Sequence, residues 1–69
     1  MRFDKGQKGK CKLNQQALND IMGCVSFDLR DEIFDYDVVY LGRMDITSPT
    51  YNITFRVNPL NFDNNWIEV

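Results

Sequence analysis

The sequence predicts a small α+β domain, in which an antiparallel meander of three to four strands carries one helix, about residues 14–22, on one face. Two patterns predict this class. Apolar residues recur at helical spacing early in the chain, and later they alternate with polar residues as in half-buried strands. The 69 residues, 43% of them hydrophobic, have room for a single domain (1–69) with a single core.

The helix is predicted by an apolar stripe and by its flanking residues. Asn14 is a favourable N-cap, and Gly23 is placed where a left-handed residue commonly ends a helix. The stripe consists of Leu13, Ala17, Leu18, Ile21 and Met22. We therefore expect this face to pack on the sheet.

Alternating segments predict the strands. Residues 25–30, 33–41 and 51–57 alternate apolar and polar side chains, and residues 66–67 could add a short fourth strand. Ser-Pro chemistry predicts a turn at 47–50. Short connections between these segments favour a meander, in which one face of the sheet is exposed to solvent.

The first twelve residues leave two interpretations open. Their lysines and glycines are typical of a mobile basic arm, whereas a weak alternation over 8–13 is typical of a short strand. The choice matters because this stretch is strongly basic. It contains five basic side chains and one acidic side chain, namely Arg2, Lys5, Lys8, Lys10 and Lys12 against Asp4.

The charge is balanced overall but not along the chain. Residues 28–37 contain five acidic side chains and one arginine, although the whole chain has a net charge of only −2. This weak net charge does not favour a DNA mimic or a general nucleic-acid coat. A basic segment and an acidic segment therefore occupy separate parts of the sequence.

Catalytic chemistry is not indicated. The chain has no histidine for acid–base work near neutral pH, and it lacks phosphate-binding and nucleophile motifs. Asp35 and Asp37 share a strand face and, with Asp28, could approach a divalent cation, but a row of acids more often marks a solvated edge. We expect no enzyme activity, no metal and no cofactor.

The acidic segment suggests a protein-docking patch, because aromatic rings there alternate with carboxylates. We expect a small accessory or inhibitor protein that occupies a surface of a larger, basic partner. A short frame with seven asparagines and no catalytic set favours a viral or phage origin and a cytoplasmic setting. The predicted partner-binding residues are Asp28, Asp31, Glu32, Asp35, Tyr36, Asp37, Tyr40 and Trp66.

Two alternatives remain. The five basic residues of the N-terminal segment have a spacing suited to phosphate contacts, which favours a nucleic-acid-binding accessory protein. A subunit of a homodimer or larger oligomer, joined through an exposed edge strand, is the other alternative. No apolar window is long enough to span a membrane, so membrane binding is not expected.

The two cysteines give a first testable prediction. Cys11 and Cys24 should be unpaired thiols, because a single bridge is uncommon in a cytosolic chain. Non-reducing mass spectrometry of protein from its native compartment should give the mass of the dithiol. A mass lower by the two hydrogens lost in a disulfide would contradict both the thiols and the compartment.

Overall fold

The structure is a computed structural model that describes residues 3–24, 26 and 28–69. Within these residues it contains one antiparallel sheet and two short α-helices. In chain order the elements are β1 Lys8–Leu13, α1 Gln15–Met22, β2 Phe34–Tyr40, β3 Arg43–Ser48, β4 Ile53–Val57, a 3₁₀ turn Pro59–Asn61, α2 Phe62–Asn65 and β5 Trp66–Glu68. The strand order across the sheet is β4-β3-β2-β1-β5.

The predicted α+β class is confirmed, but the predicted strand and helix counts are not. Five strands replace the expected three to four, and α2 joins the one predicted helix. The meander holds for β2, β3 and β4, which pair in succession. It fails beyond them, because β1 lies between β2 and β5, so the first and last strands complete one side of the sheet.

The N-terminal segment forms part of the sheet. Lys8–Leu13 is β1, so the strand interpretation holds there and the mobile arm does not. Phe3 is 1% exposed, and backbone bonds join Gly6 N to Val38 O at 2.7 Å and Val38 N to Gln7 O at 2.9 Å. The buried Phe3 ring and these backbone hydrogen bonds thus hold the N-terminal segment against the sheet, although the segment is rich in lysine.

The strand predicted over 25–30 is not formed in its described part. Val25 and Phe27 lie outside the described residues, and Asp28 to Arg30 belong to no strand. The Asp28 carboxylate instead accepts from Arg30 N at 2.9 Å, a local side-chain bond that favours a turn. Leu29 still reaches the core, at 1% exposure.

Strand β3 is not predicted by the sequence patterns above. Met44, Ile46 and Ser48 are buried and alternate with half-buried neighbours, which is the signal of a strand. We expected a turn at 47–50, but the strand continues through Ser48 and the turn follows it. Asn52 completes that turn with φ of 57°, a left-handed value that asparagine tolerates.

Helix α1 begins as predicted but ends differently. The Asn14 side chain accepts from Ala17 N at 2.8 Å, which confirms the N-cap. Gly23, however, is right-handed with φ of −77°. Asn14 also donates through Nδ2 to Asn64 O at 2.9 Å, so the start of α1 is tied to α2.

The core lies between the inner face of the sheet and the helices. It contains two groups of edge-to-face rings. In one group, the centroid of the Phe3 ring lies 5.6 Å from that of Tyr36 and 5.1 Å from that of Phe62. In the other, Trp66 lies 5.0 Å from Phe34 and 5.7 Å from Phe55. Such pairs contribute about 0.5–1.5 kcal/mol each beyond area burial.

Both cysteines are thiols in this fold, as predicted. Cys11 is fully buried on the inner face of β1, whereas Cys24 is exposed after α1. Burial, reinforced by the negative charges of Asp35 and Glu68, raises the pKa of Cys11 to about 12. Cys11 is therefore an unreactive core residue.

Gly9 allows β1 and β2 to pair beneath a tyrosine. Gly9 lies directly across from Tyr36, and a Cβ on Gly9 would be 2.6 Å from the Tyr36 hydroxyl oxygen and 2.7 Å from Cζ. The ring is 3% exposed and has little room to move. A residue without a side chain is therefore required at position 9.

Gly9→Ala should accordingly destabilise the protein by about 1–3 kcal/mol, the usual cost of overpacking a core. Gly23→Ala is the matched control, because Gly23 is right-handed and its added Cβ would meet only Asp20 O at 3.9 Å. That control should be neutral or stabilising by up to about 1 kcal/mol. Urea unfolding measures both. Equal stability of the two variants would show that Tyr36 does not pack over Gly9.

Candidate functional site

The basic and acidic segments of the sequence meet on the outer face of the sheet. Strand pairing places Lys8 across from Asp37 and Lys10 across from Asp35. Lys10 Nζ lies 2.7 Å from Asp35 Oδ1, in a pair whose side chains are 64% and 52% exposed. Such a surface pair contributes at most about 1 kcal/mol, but it sets one positive charge of the basic segment against one negative charge of the acidic segment.

The same pattern continues across β3 and β4. Asp45 on β3 is across from Asp37 on one side and from Arg56 on the other. The two acids therefore lie between Lys8 and Arg56 in one row across the sheet. Arg43 Nε also donates to Asp45 at 3.0 Å, and this hydrogen bond lowers the pKa of Asp45. Of these residues, Asp37 and Asp45 line an open depression of about 590 Å³, together with Lys8, Lys10 and Asp35. Its charges are largely compensated.

Two of the aromatics predicted to dock are core residues. Tyr36 and Trp66 are 3% and 4% exposed. The Tyr36 hydroxyl donates to Glu68 Oε2 at 3.0 Å and accepts from Gln7 Nε2 at 3.2 Å. Little of either ring is available for contact with a partner, because Tyr36 on β2 and Trp66 on β5 both lie on the inner face of the sheet.

Asp28 and Asp31 lie in the loop before β2. Asp28 binds Arg30 in a close pair, with Arg30 Nη2 2.6 Å from Asp28 Oδ2, and these hydrogen bonds lower the pKa of Asp28 to about 2. Asp31 is exposed beside them. Asp28 is thus already paired within the chain.

Glu32 has a structural role that the sequence did not indicate. Its carboxylate accepts a short hydrogen bond from the buried Ser48 hydroxyl and another from Thr50 Oγ1 at 3.0 Å. The hydrogen bond from Ser48 is the main reason that the pKa of Glu32 is lowered. Glu32 thereby joins the loop before β2 to the end of β3.

One predicted docking residue remains exposed and apolar, and it has neighbours that we did not predict. Tyr40 is 53% exposed, next to Val39 at 37% and Leu41 at 58%. In the described part of the chain this is the one run of three exposed large apolar residues. The run, here called the hairpin tip (Val39–Leu41), comprises the last two residues of β2 and the first residue of the turn to β3. The register of β2 against β3 is irregular between Val38 and Tyr40.

A sequence signal for the hairpin tip was available. The predicted strand 33–41 begins with polar alternation and ends with four apolar residues before Gly42. Alternation cannot bury all four on one face, so some of them must face solvent. The other exposed apolar residues are spread over separate elements, namely Ile33, Tyr51, Leu60, Ile67 and Val69.

The predicted nucleic-acid residues do not form a separate basic surface. Lys5 is exposed in the turn before β1, and Lys8, Lys10 and Lys12 alternate along the outer face of β1. Lys8 and Lys10 are beside acids, as described above. Arg2 lies outside the described residues.

No known protein family matches the sequence, and no curated protein or solved structure matches the chain. Among residues 3–24, 26 and 28–69, no three His, Cys, Asp or Glu side chains are grouped as metal ligands. Within the same residues no helix has the length and apolar character needed to cross a membrane.

The role of Glu32 is testable through stability. Glu32→Ala should lower the free energy of unfolding by about 1–3 kcal/mol, because the buried Ser48 hydroxyl loses a charged acceptor. Asp31→Ala, which removes the neighbouring exposed acid, should stay within about 0.5 kcal/mol. Thermal melts or urea titrations at neutral pH give both values.

The loss should also depend on pH. A carboxyl with a lowered folded-state pKa stabilises the fold above its unfolded pKa, and this contribution is lost as pH falls through the folded pKa. The difference between wild type and Glu32→Ala should therefore shrink below about pH 4, the ordinary glutamate range. A pH-independent difference would contradict an ionised Glu32 in this role.

Proposed function

We propose that this chain is a small protein-binding accessory protein that modulates or inhibits a larger partner by occupying its surface through the hairpin tip. The exposed run Val39, Tyr40 and Leu41 carries this proposal. Three consecutive exposed apolar side chains reduce solubility without stabilising the fold, so a function is the usual reason for them. Tyrosine is also among the residues that most often dominate protein interfaces.

The base of the hairpin tip is well anchored. Val38 is fully buried, and its N–H and carbonyl are bonded to the Asp4–Gln7 turn. On the next strand, Met44 is fully buried and pairs with Val38. A contact surface that is already ordered loses little conformational entropy on binding, which favours affinity.

A polar rim adjoins the hairpin tip. Arg43 is paired with Tyr40 across the hairpin, and Asp45 binds Arg43. An apolar centre with a charged, hydrogen-bonded border is the usual composition of a protein interface. By contrast, the acidic residues that we expected to guide a basic partner are beside lysines and arginines, so their long-range attraction is weakened.

The protein would act by binding rather than by catalysis, and in the reducing cytoplasm, where its two thiols are stable. The nucleic-acid alternative is less favoured. Phosphates that approach Lys8 or Lys10 would also meet Asp37 or Asp35, and like charges at that distance oppose binding. The acidic residues beside these lysines therefore favour a protein partner over a nucleic acid.

The test is quantitative affinity capture from the native host with two variants that remove exposed apolar side chains at different places on the surface. Tyr40→Ser combined with Leu41→Ser removes the apolar side chains of the hairpin tip. Leu60→Ser removes a 77% exposed leucine from the 3₁₀ turn and is the matched control. Neither change should alter stability by more than about 0.5 kcal/mol, because these side chains are exposed.

A specific partner should be retained by wild type and by the control, and lost by at least about tenfold in the double variant. On a sensor surface with the purified partner, the loss should appear as faster dissociation. Capture of the same partner by all three proteins would show that the hairpin tip is not the docking surface. Equal salt-dependent binding of all three to DNA or RNA would favour the nucleic-acid alternative instead.

A further inference from the structure

Strand β4 has an edge that is suited to pairing. It is the terminal strand of the sheet and, among the described residues, pairs only with β3. Its pairing with β3 runs without a bulge from Ile53 to Val57, and it contains no proline. These are the features that make an edge strand receptive to another strand.

The opposite edge of the sheet is protected. Strand β5 has only three residues, and it carries the charge of Glu68. Glu68 is across from Cys11 on the inner face, where it accepts from the Tyr36 hydroxyl. Short length and an inward charge are common devices against edge pairing. The two edges therefore differ, and only β4 is open.

The residues of β4 are complementary to themselves. The strand reads Ile-Thr-Phe-Arg-Val, with half-buried Ile53, Phe55 and Val57 on the inner face and exposed Thr54 and Arg56 on the outer face. Antiparallel pairing of two copies about a two-fold axis at Phe55 places Ile53 across from Val57 of the second copy. Thr54 then lies across from Arg56 of the second copy, so no like charges oppose each other.

An apolar groove adjoins this edge on the inner side. Its open volume is about 340 Å³, and it separates α1 from β4. Two-fold pairing at β4 places the inner faces of both copies on the same side, so their two grooves become adjacent. The apolar side chains that line each groove are Leu13, Ala17, Ile21, Phe55, Val57 and Trp66.

We propose that two copies of this chain dimerise by antiparallel pairing of β4 with β4, centred on Phe55, to form a continuous ten-stranded sheet. A second copy fits this edge because the two-fold register sets Ile53, Phe55 and Val57 against apolar residues of the partner and leaves Arg56 opposite an uncharged threonine. Such an interface is isologous, since both copies contribute the same surface. The interface uses none of the residues of the hairpin tip, so it is independent of the proposed function.

Sedimentation equilibrium of the intact protein tests the oligomeric state. We expect a dimer with a dissociation constant between about 1 μM and 1 mM. Ile53→Lys, which puts an inward charge on this edge, should raise that constant at least about tenfold. Ile67→Lys, the same change on β5, should leave it within about twofold, since that edge is not used. A protein that stays monomeric to about 1 mM would overturn the proposal.

Disulfide trapping tests the register without disturbing the core, because Thr54 and Arg56 are exposed. In a Cys24→Ser background, Thr54→Cys mixed with Arg56→Cys should form a cross-linked heterodimer under mild oxidation, since opposite Cβ atoms are about 5 Å apart. Each variant alone should not cross-link, because its own copies are about 7–8 Å apart on the diagonal. Dimers that cross-link equally in every combination, or in none, would rule out this pairing.

Discussion

The pairing of β1 with β2 is the interaction on which the rest of the structure depends. It places Gly9 beneath the Tyr36 ring, which allows the two backbones to approach at a point where any side chain would collide. Since β5 pairs only with β1 in the described chain, the C-terminal strand has no place in the sheet without it. Five strands thus become one sheet through a segment that the sequence marks as basic and glycine-containing.

The same pairing organises the core. On β2, the Tyr36 ring packs against Phe3 and Phe62. The Phe34 ring, on the same strand, packs against Phe55 and Trp66. Residues from both ends of the chain therefore close over the central strands. In a domain this small, which buries only about 60% of its unfolded surface, such long-range aromatic contacts supply much of the hydrophobic stabilisation.

The pairing also determines what the surface can do. Because the basic strand lies beside the acidic one, neither segment projects the strong potential that its sequence alone suggests. What remains distinctive is apolar, namely the hairpin tip and the open edge of β4 with its groove. A partner that recognises this protein would respond to shape and apolar contact more than to charge.

The sequence by itself determined the α+β class, helix α1 with its Asn14 cap, and the strands near 33–41, 51–57 and 66–67, since each depends on local periodicity or capping. It also indicated the unpaired thiols. These features arise from neighbours along the chain, which is why one sequence suffices to predict them.

Only the tertiary structure decided that Lys8–Leu13 is a central strand, that Trp66 is core, and that Glu32 binds the buried Ser48. Each depends on partners far away in sequence. Local composition left the strand over 8–13 undecided and favoured other roles for Trp66 and Ser48. Lysines favour solvent, a terminal tryptophan suggests an anchor, and a serine before proline suggests a turn. In the folded chain the lysine-containing strand pairs with an acidic strand, Trp66 is buried among other rings, and Ser48 donates to a carboxylate. These contacts between distant residues outweigh weak local propensities.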